Sequence, residues 1–348
     1  MRALRLYGKE DLRFEETSRP SILSNEVLIR VKSCAICGSD LRNISTGGSM
    51  HGLVLPRTLG HEITGVIAEV GSEVDWYSVG QRVAINVNIF CGECYYCRSG
   101  LHNLCDAKES ISYQYDGGFA EYLRVPGRSV RQGGLISLPD NVDFCSGSLV
   151  EPFSCVLNGQ ELSNTGPGDT VVIIGAGPVG IMHAQLARIR GVAKIILADI
   201  LNARLTTAAG VVDTDLLVDS SVTDLRGVVL RYTKGRGADV VIVAAPSGEA
   251  QIQALNIAAK RGRVNFFGGL PKNNSTIAID SNTIHYRELF VHGTSDCTGE
   301  HMKKVVDLLS AGRLECGSMT GETYSLQEYE RAFNTARSGS ALKVIFLP

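Results

Sequence analysis

The hexapeptide Gly175-Ala176-Gly177-Pro178-Val179-Gly180 follows an apolar run, Thr170 to Ile174, and opens a stretch with Val179, Met182, Leu186 and Ile189 at helical spacing. A GxGxxG pattern between a strand and a helix constrains the fold more than any other feature of the chain. Gly175 permits a tight turn, Gly177 lets a pyrophosphate approach the backbone, and Gly180 lets helix and strand pack closely. The helix start, with Pro178 and Val179 in its first turn, attracts the negative phosphates. Further apolar runs at Lys194 to Ala198, Asp239 to Ala244, Arg263 to Phe267 and Leu289 to His292 alternate with helix-like stretches. That alternation predicts an α/β domain with a doubly wound parallel sheet, its near-continuous apolar strands covered on both faces. Asp199 follows Gly175 by 24 residues. Its carboxylate is expected to accept hydrogen bonds from adenosine ribose hydroxyls and to repel a 2′-phosphate, favouring NAD over NADP. Arg204 is a candidate to stack near the adenine or to pair with Asp199. Without these flanks the glycines would also suit a turn that only joins strand to helix.

The chain has 348 residues, enough for about two domains at roughly 150 residues each. The first half holds short runs such as Glu26 to Lys32 and Glu62 to Val70, punctuated by Gly, Pro and Asp, which predicts a mostly β domain. Lys and Arg number 34 against 36 Asp and Glu, for a net charge of -2, so nothing in the charge points to a nucleic-acid partner. Residues Met1 to Glu16 lack the long apolar stretch of a signal peptide or membrane span. The expectation is a cytoplasmic protein with no membrane partner.

Four of the ten cysteines, Cys91, Cys94, Cys97 and Cys105, are spaced C-x2-C-x2-C-x7-C. Four thiolates on one short loop can converge on a tetrahedral ion and close its coordination shell, the pattern of a structural zinc. An iron–sulfur cluster is the competing occupant. Cys34, Cys145, Cys155, Cys297 and Cys316 show no such spacing and read as core or surface residues.

Six motifs precede or include the glycine turn in a fixed order: Cys37-Gly38-Ser39-Asp40, Gly60-His61-Glu62, the four-cysteine loop, Asp116-Gly117-Gly118-Phe119-Ala120-Glu121-Tyr122, Glu151-Pro152 and the hexapeptide itself. Together they resemble the zinc-containing medium-chain alcohol and polyol dehydrogenases over nearly the whole chain. The resemblance implies a GroES-like, mostly β catalytic domain over residues 1–153, a Rossmann NAD-binding domain over 154–295, and a tail, 296–348, that returns to the first domain. It also implies one catalytic and one structural zinc. The catalytic ligands would be Cys37, His61 and Glu62, with Glu151 binding directly or through water. The order of persistence between the two glutamates stays open. This glutamate-bearing set is similar to the sorbitol, galactitol-phosphate and threonine dehydrogenases. It favours oxidation of a secondary alcohol of a polyol, sugar alcohol or sugar alcohol phosphate to a ketone by NAD, with L-threonine 3-dehydrogenase as the alternative. Taken singly, each ligand has a plainer reading: a hydrogen-bonded core histidine, a small buried thiol, a salt-bridged acid, a helix N-terminal acid.

Three ligands and one open position make zinc a Lewis acid that lowers the pKa of an alcohol, easing hydride loss to the nicotinamide. Ser39 is the candidate first acceptor of the alcohol proton, and Asp40 the candidate partner of the second His61 ring nitrogen. Relatives carry histidine where this chain has Arg42, so the exit of the proton is unassigned. Ala244, Gly268, Gly269, Leu270 and Thr294 lie at ends of the later strands, where the cofactor is expected to run. The family implies a homodimer or homotetramer acting on a small polyol-like molecule. A zinc-ribbon-like binding protein and a redox-inactive NAD sensor are the rivals from other classes. The neutral charge opposes the first, and the presence of Cys37, His61 and Glu151 opposes the second.

Overall fold

The computed structural model describes residues 1–48 and 53–348. They form two compact units, Met1–Ser154 with Cys297–Pro348, and Cys155–Asp296. Among the described residues, no helix is long and apolar enough to cross a membrane.

In the second unit six parallel strands stand in the order Leu216–Asp219, Lys194–Asp199, Thr170–Ile174, Ala238–Val243, Ala258–Phe266, Phe290–Gly293. In chain order this is 3-2-1-4-5-6, the doubly wound Rossmann topology. Val171, Val172 and Ile173 are all fully buried, as are Ile195, Ile196 and Leu197. The central strands therefore show no polar alternation, because helices cover both faces. The apolar runs do not include Leu216–Asp219, a four-residue edge strand that is mostly half-buried. Its short LLVD run carries too little apolar length to stand out. Ala258–Phe266 begins earlier than its apolar core because Ala258 pairs with Ala238 across a register shift.

A buried imidazole in this unit lacks compensation. His183, on the helix Pro178–Ile189, is fully buried, packs edge-on to Phe267 at 4.6 Å, and has no hydrogen-bond partner at either ring nitrogen. Burial alone lowers its pKa from 6.5 to about 3. The folded unit thus holds a neutral ring where the unfolded chain takes up a proton. Stability present above pH 6.5 is lost as the pH falls toward 3. By pH 4.5 the loss is expected to reach about 2–3 kcal/mol. His183→Leu is expected to flatten that part of the urea-unfolding profile between pH 7 and 4.5. An unchanged profile would remove His183 from the acid sensitivity.

The first unit is built around the strand Val27–Ala35, which pairs antiparallel with Glu62–Val70, Tyr122–Val125 and Val344–Phe346. The strand runs past Lys32, where the apolar signal ends, because the small residues Ser33, Cys34 and Ala35 pair with Thr64, Ile63 and Glu62. The last residues of the chain close the sheet: Ile345 lies opposite Ala35 and Phe346 opposite Cys34. Phe119, Phe333 and Phe346 meet with ring centroids 5.1–5.9 Å apart. These aromatic contacts bind the C-terminal segment into the core of the first half. The register brings Glu62, Ala35 and the start of the C-terminal strand side by side, which matters for the site below.

Candidate active site and metal centres

Cys37 caps the helix Gly38–Thr46, and Asp40 in the first turn accepts a hydrogen bond from the Cys37 backbone N–H at 2.9 Å. The other oxygen of Asp40, fully buried, faces Nδ1 of His61 at 3.3 Å. One carboxylate therefore fixes both the start of the helix that presents Cys37 and the ring of His61. With Nδ1 turned to Asp40, Nε2 is the nitrogen left for a metal. It lies 3.3 Å from the hydroxyl of Ser39. Gly60, at φ +93°, lets the chain turn into His61 and Glu62; a Cβ there would stand 2.6 Å from the Phe119 ring and 2.8 Å from the Cys34 sulfur.

The potential ligand atoms of Cys37, His61 and Glu62 all lie within 4.8 Å of one another. Glu62 is fully buried; its Oε1 has no hydrogen-bond partner, and its Oε2 forms an ion pair with Lys343. A thiol, an imidazole and a buried carboxylate oxygen in need of a cation fit zinc, with a fourth position left for substrate. Burial works to lower the pKa of His61, but the charges of Asp40 and Cys37 outweigh it and hold the ring well above 6.5. Glu151, on the helix Val150–Leu162, stands outside this trio. Its carboxylate lies within 4.8 Å of the Cys297 sulfur, and its charge helps to raise Lys343.

Lys343 is the site residue that local sequence patterns do not reveal. It is 5% exposed, and its ammonium also donates to the Ile36 carbonyl at 3.1 Å. Burial opposes its charge, yet Glu62 and Cys37 hold its pKa above 10.5. A single lysine inside the apolar run Leu342 to Leu347 was the available signal, because a cation in a buried strand needs a partner. Arg42 is exposed.

The sulfurs of Cys91, Cys94, Cys97 and Cys105 also gather within 4.8 Å, and none is in a disulfide. Backbone N–H groups point at them: Cys94 donates to the Cys91 sulfur at 3.3 Å, Cys97 to the Cys94 sulfur at 3.5 Å, and Cys91 to the Cys105 sulfur at 3.2 Å. The amides of Cys94 and Glu93 pull the Cys91 thiol down to about 6, while burial pushes Cys97 up to about 12. A loop that stabilises thiolate on one sulfur and penalises it on another fits a site completed by a cation.

In the second unit Gly175 has φ +111°, and a Cβ on Gly180 would stand 1.7 Å from the Gly175 carbonyl oxygen. A Cβ on Gly177 would meet nothing within 4 Å. Protein packing thus explains the first two glycines, and open space for a ligand explains the third. Asp199 accepts from Ala176 N–H at 2.7 Å and Leu201 N–H at 2.9 Å, and Arg204 lies 3.6 Å from it. Both oxygens keep lone pairs for a ribose. Ala244 and Gly268 donate to the carbonyls of Ile174 and Val243 at strand ends. Gly269 and Leu270 follow directly, and the Thr294 hydroxyl donates to Asn265 at 3.1 Å.

Family models match on both sides of this turn: an alcohol dehydrogenase GroES-like domain over residues 24–139 and a zinc-binding dehydrogenase over residues 178–311. The chain belongs to the zinc-binding dehydrogenases. This dehydrogenase is 30% identical to a sorbitol dehydrogenase of Halalkalibacterium halodurans over 98% of the chain and 97% of that protein. Among solved structures, galactitol-1-phosphate dehydrogenase from Escherichia coli matches with a TM-score of 0.90 and 27% identity, covering 100% of both chains. A zinc-binding dehydrogenase from Sinorhizobium meliloti bound to NADP matches with a TM-score of 0.91 and 30% identity, covering 100% of this chain and 99% of that one. The zinc-binding dehydrogenases depend on zinc and on NAD(P). Asp199→Ser is expected to raise the NADP-to-NAD ratio of kcat/KM by about 10–100-fold, since a charge opposing the 2′-phosphate is removed. Steady-state kinetics with both cofactors check this, and an unchanged ratio would mean that Asp199 does not set the preference.

Proposed function

We propose that this dehydrogenase oxidises a secondary alcohol of a polyol, sugar alcohol or sugar alcohol phosphate to a ketone, with hydride transfer to NAD. The gathering of Cys37, His61 and Glu62 within 4.8 Å, with the Ser39 hydroxyl 3.3 Å from His61, is the observation that carries the reading. Zinc held there supplies Lewis acidity that makes the alcohol proton easier to remove. Cys37 and His61 hold the ion, Glu62 completes the set, and Glu151 serves directly or through water. Ser39 accepts the proton from the substrate oxygen. Asp40 keeps His61 neutral at Nε2 and correctly turned when metal is bound. Lys343 offsets part of the negative charge that Glu62 brings, which preserves the net positive charge the reaction needs.

Gly175, Gly177, Pro178, Val179 and Gly180 take the pyrophosphate, Asp199 and Arg204 the adenosine side. Ala244, Gly268, Gly269, Leu270 and Thr294 line the remaining path of the cofactor. Cys91, Cys94, Cys97 and Cys105 hold the structural zinc. The free state of all ten cysteines supports a reducing, cytoplasmic setting, and a homodimer or homotetramer is the assembly proposed.

The test is NADH formation from NAD over a panel of polyols, their phosphates, sugar acids and L-threonine. Turnover of polyols or their phosphates is expected. Turnover of threonine alone would replace the polyol reading.

A further inference from the structure

We infer that Asn265 is a positioning residue whose buried amide fixes Thr294 to Asp296 at the nicotinamide end of the cofactor path, an inference that rests on the dehydrogenase reading above. Asp199 ends the strand on one side of Thr170–Ile174, the strand that feeds the glycine turn. Thr294 follows Phe290–Gly293, the outermost strand on the other side. A dinucleotide with its adenosine at Asp199 and its pyrophosphate at the glycine turn therefore extends its nicotinamide half toward Thr294.

Asn265, on the strand Ala258–Phe266, is fully buried and holds three partners. Its Oδ1 accepts from the Thr294 hydroxyl at 3.1 Å, and its Nδ2 donates to the Gly159 carbonyl at 3.1 Å and to the Ser163 oxygen at 3.3 Å. Ser163, also fully buried, donates to the same Gly159 carbonyl at 2.7 Å and lies 3.3 Å from Nε2 of His292, on the strand that Thr294 follows. The fit around this amide is tight: a Cβ on Gly159 would stand 3.1 Å from Asn265 Nδ2 and 3.0 Å from the Phe267 ring. Beside Gly159, the buried Asn158 donates from its own amide to the Asp296 carbonyl at 2.8 Å. Asp296 has φ +53°, a conformation that residues with a Cβ rarely adopt and that persists where the surroundings enforce it.

Two buried amides thus grip both ends of the three residues that leave the last strand. Both Nδ2 hydrogens of Asn265 are in use, so turning the amide would cost its bonds to Gly159, Ser163 and Thr294 together. A network with one satisfied arrangement sets the strand end before the cofactor arrives. Hydride transfer depends on such placement, because the reacting atoms must meet at ~3–3.5 Å. Asn265 is buried beneath Thr294 and acts through it.

The experiment uses the zinc-loaded full chain and compares wild type with Asn265→Ala, Thr294→Val and Thr294→Ser. Dissociation constants are measured for NADH and for ADP-ribose, which lacks the nicotinamide. Hydride transfer is read as NADH formation in a single turnover with the polyol that wild type oxidises fastest. Asn265→Ala and Thr294→Val are each expected to weaken NADH about 10-fold while leaving ADP-ribose within about twofold. Both should slow hydride transfer about 10–100-fold, the scale of a misplaced reacting pair. Thr294→Ser keeps the hydroxyl and should behave as wild type. Joining Thr294→Val to Asn265→Ala should add little to the loss from Asn265→Ala, because both changes remove the same hydrogen bond. Should Asn265→Ala fail to fold, Thr294→Val against Thr294→Ser decides. An unchanged NADH-to-ADP-ribose affinity ratio with undiminished hydride transfer in Thr294→Val would overturn the inference. So would equal weakening of NADH and ADP-ribose, which would make the amide a support of the whole unit. If wild type turns over no alcohol in the panel, the dehydrogenase reading fails, and the affinity ratio still decides whether Asn265 positions the nicotinamide end. Turnover by wild type together with unaffected variants defeats the positioning role alone.

Discussion

His61→Ala is expected to lower kcat/KM for the polyol by about 10⁴-fold or more, equivalent to ~5.5 kcal/mol of transition-state stabilisation. The loss is large because His61 is held by the Asp40 carboxylate at 3.3 Å and is buried beside Cys37 and Glu62, so no neighbouring group can replace it. Zinc should fall from two ions per chain to one, with the four-cysteine site still filled. The same geometry predicts a pH effect on metal uptake. Asp40 and Cys37 hold His61 well above its ordinary 6.5 before metal arrives, although burial opposes the charge. A ligand must be neutral at the coordinating nitrogen, so zinc binding here displaces a proton and weakens as pH falls. Competition with a chelator at descending pH, read by metal analysis, checks this. Retention of the second zinc by His61→Ala would contradict the assigned ligand.

Cys97→Ser is expected to act on stability instead of chemistry. Its sulfur stands among those of Cys91, Cys94 and Cys105, within 4.8 Å, and burial holds its thiol at about 12 without a cation. Metal supplies the charge that makes a thiolate tolerable there, so losing the ligand removes the ion and leaves polar groups of the loop uncompensated. The cost should be on the order of 5 kcal/mol, or a fall of roughly 10–15 °C in the thermal midpoint of a unit of this size. Chelation of the wild-type protein should reproduce the shift. Turnover per folded molecule, measured well below the transition, should stay near wild type. A variant as stable as wild type with two zinc ions would show that the loop is not a metal site.

Much of the architecture is legible because its signals are local. The glycine turn, its flanking strand and helix, and the cysteine spacing each lie within a few tens of residues, and each carries its own steric or ligand logic. The Gly180 contact at 1.7 Å is the kind of constraint that a sequence expresses directly as a glycine. The strand Leu216–Asp219 escapes because it is short and lies at the sheet edge. Lys343 escapes for a different reason. Its partner Glu62 is distant in sequence, and only the pairing of Val344–Phe346 with Val27–Ala35, beside Glu62–Val70, brings ammonium and carboxylate together.

The choice between Glu62 and Glu151 is open from residue types alone, since both are acids in recognisable motifs. In the structure Glu62 lies beside Cys37 and His61, and Glu151 beside Cys297.

The most direct measurement is anomalous scattering at the zinc edge from crystals of the zinc-loaded protein. Two peaks per chain are predicted, one inside the sulfur cluster and one at about 2.3 Å from the Cys37 sulfur and ~2.0–2.1 Å from His61 Nε2. A single peak, or a second peak distant from Cys37 and His61, would contradict the account.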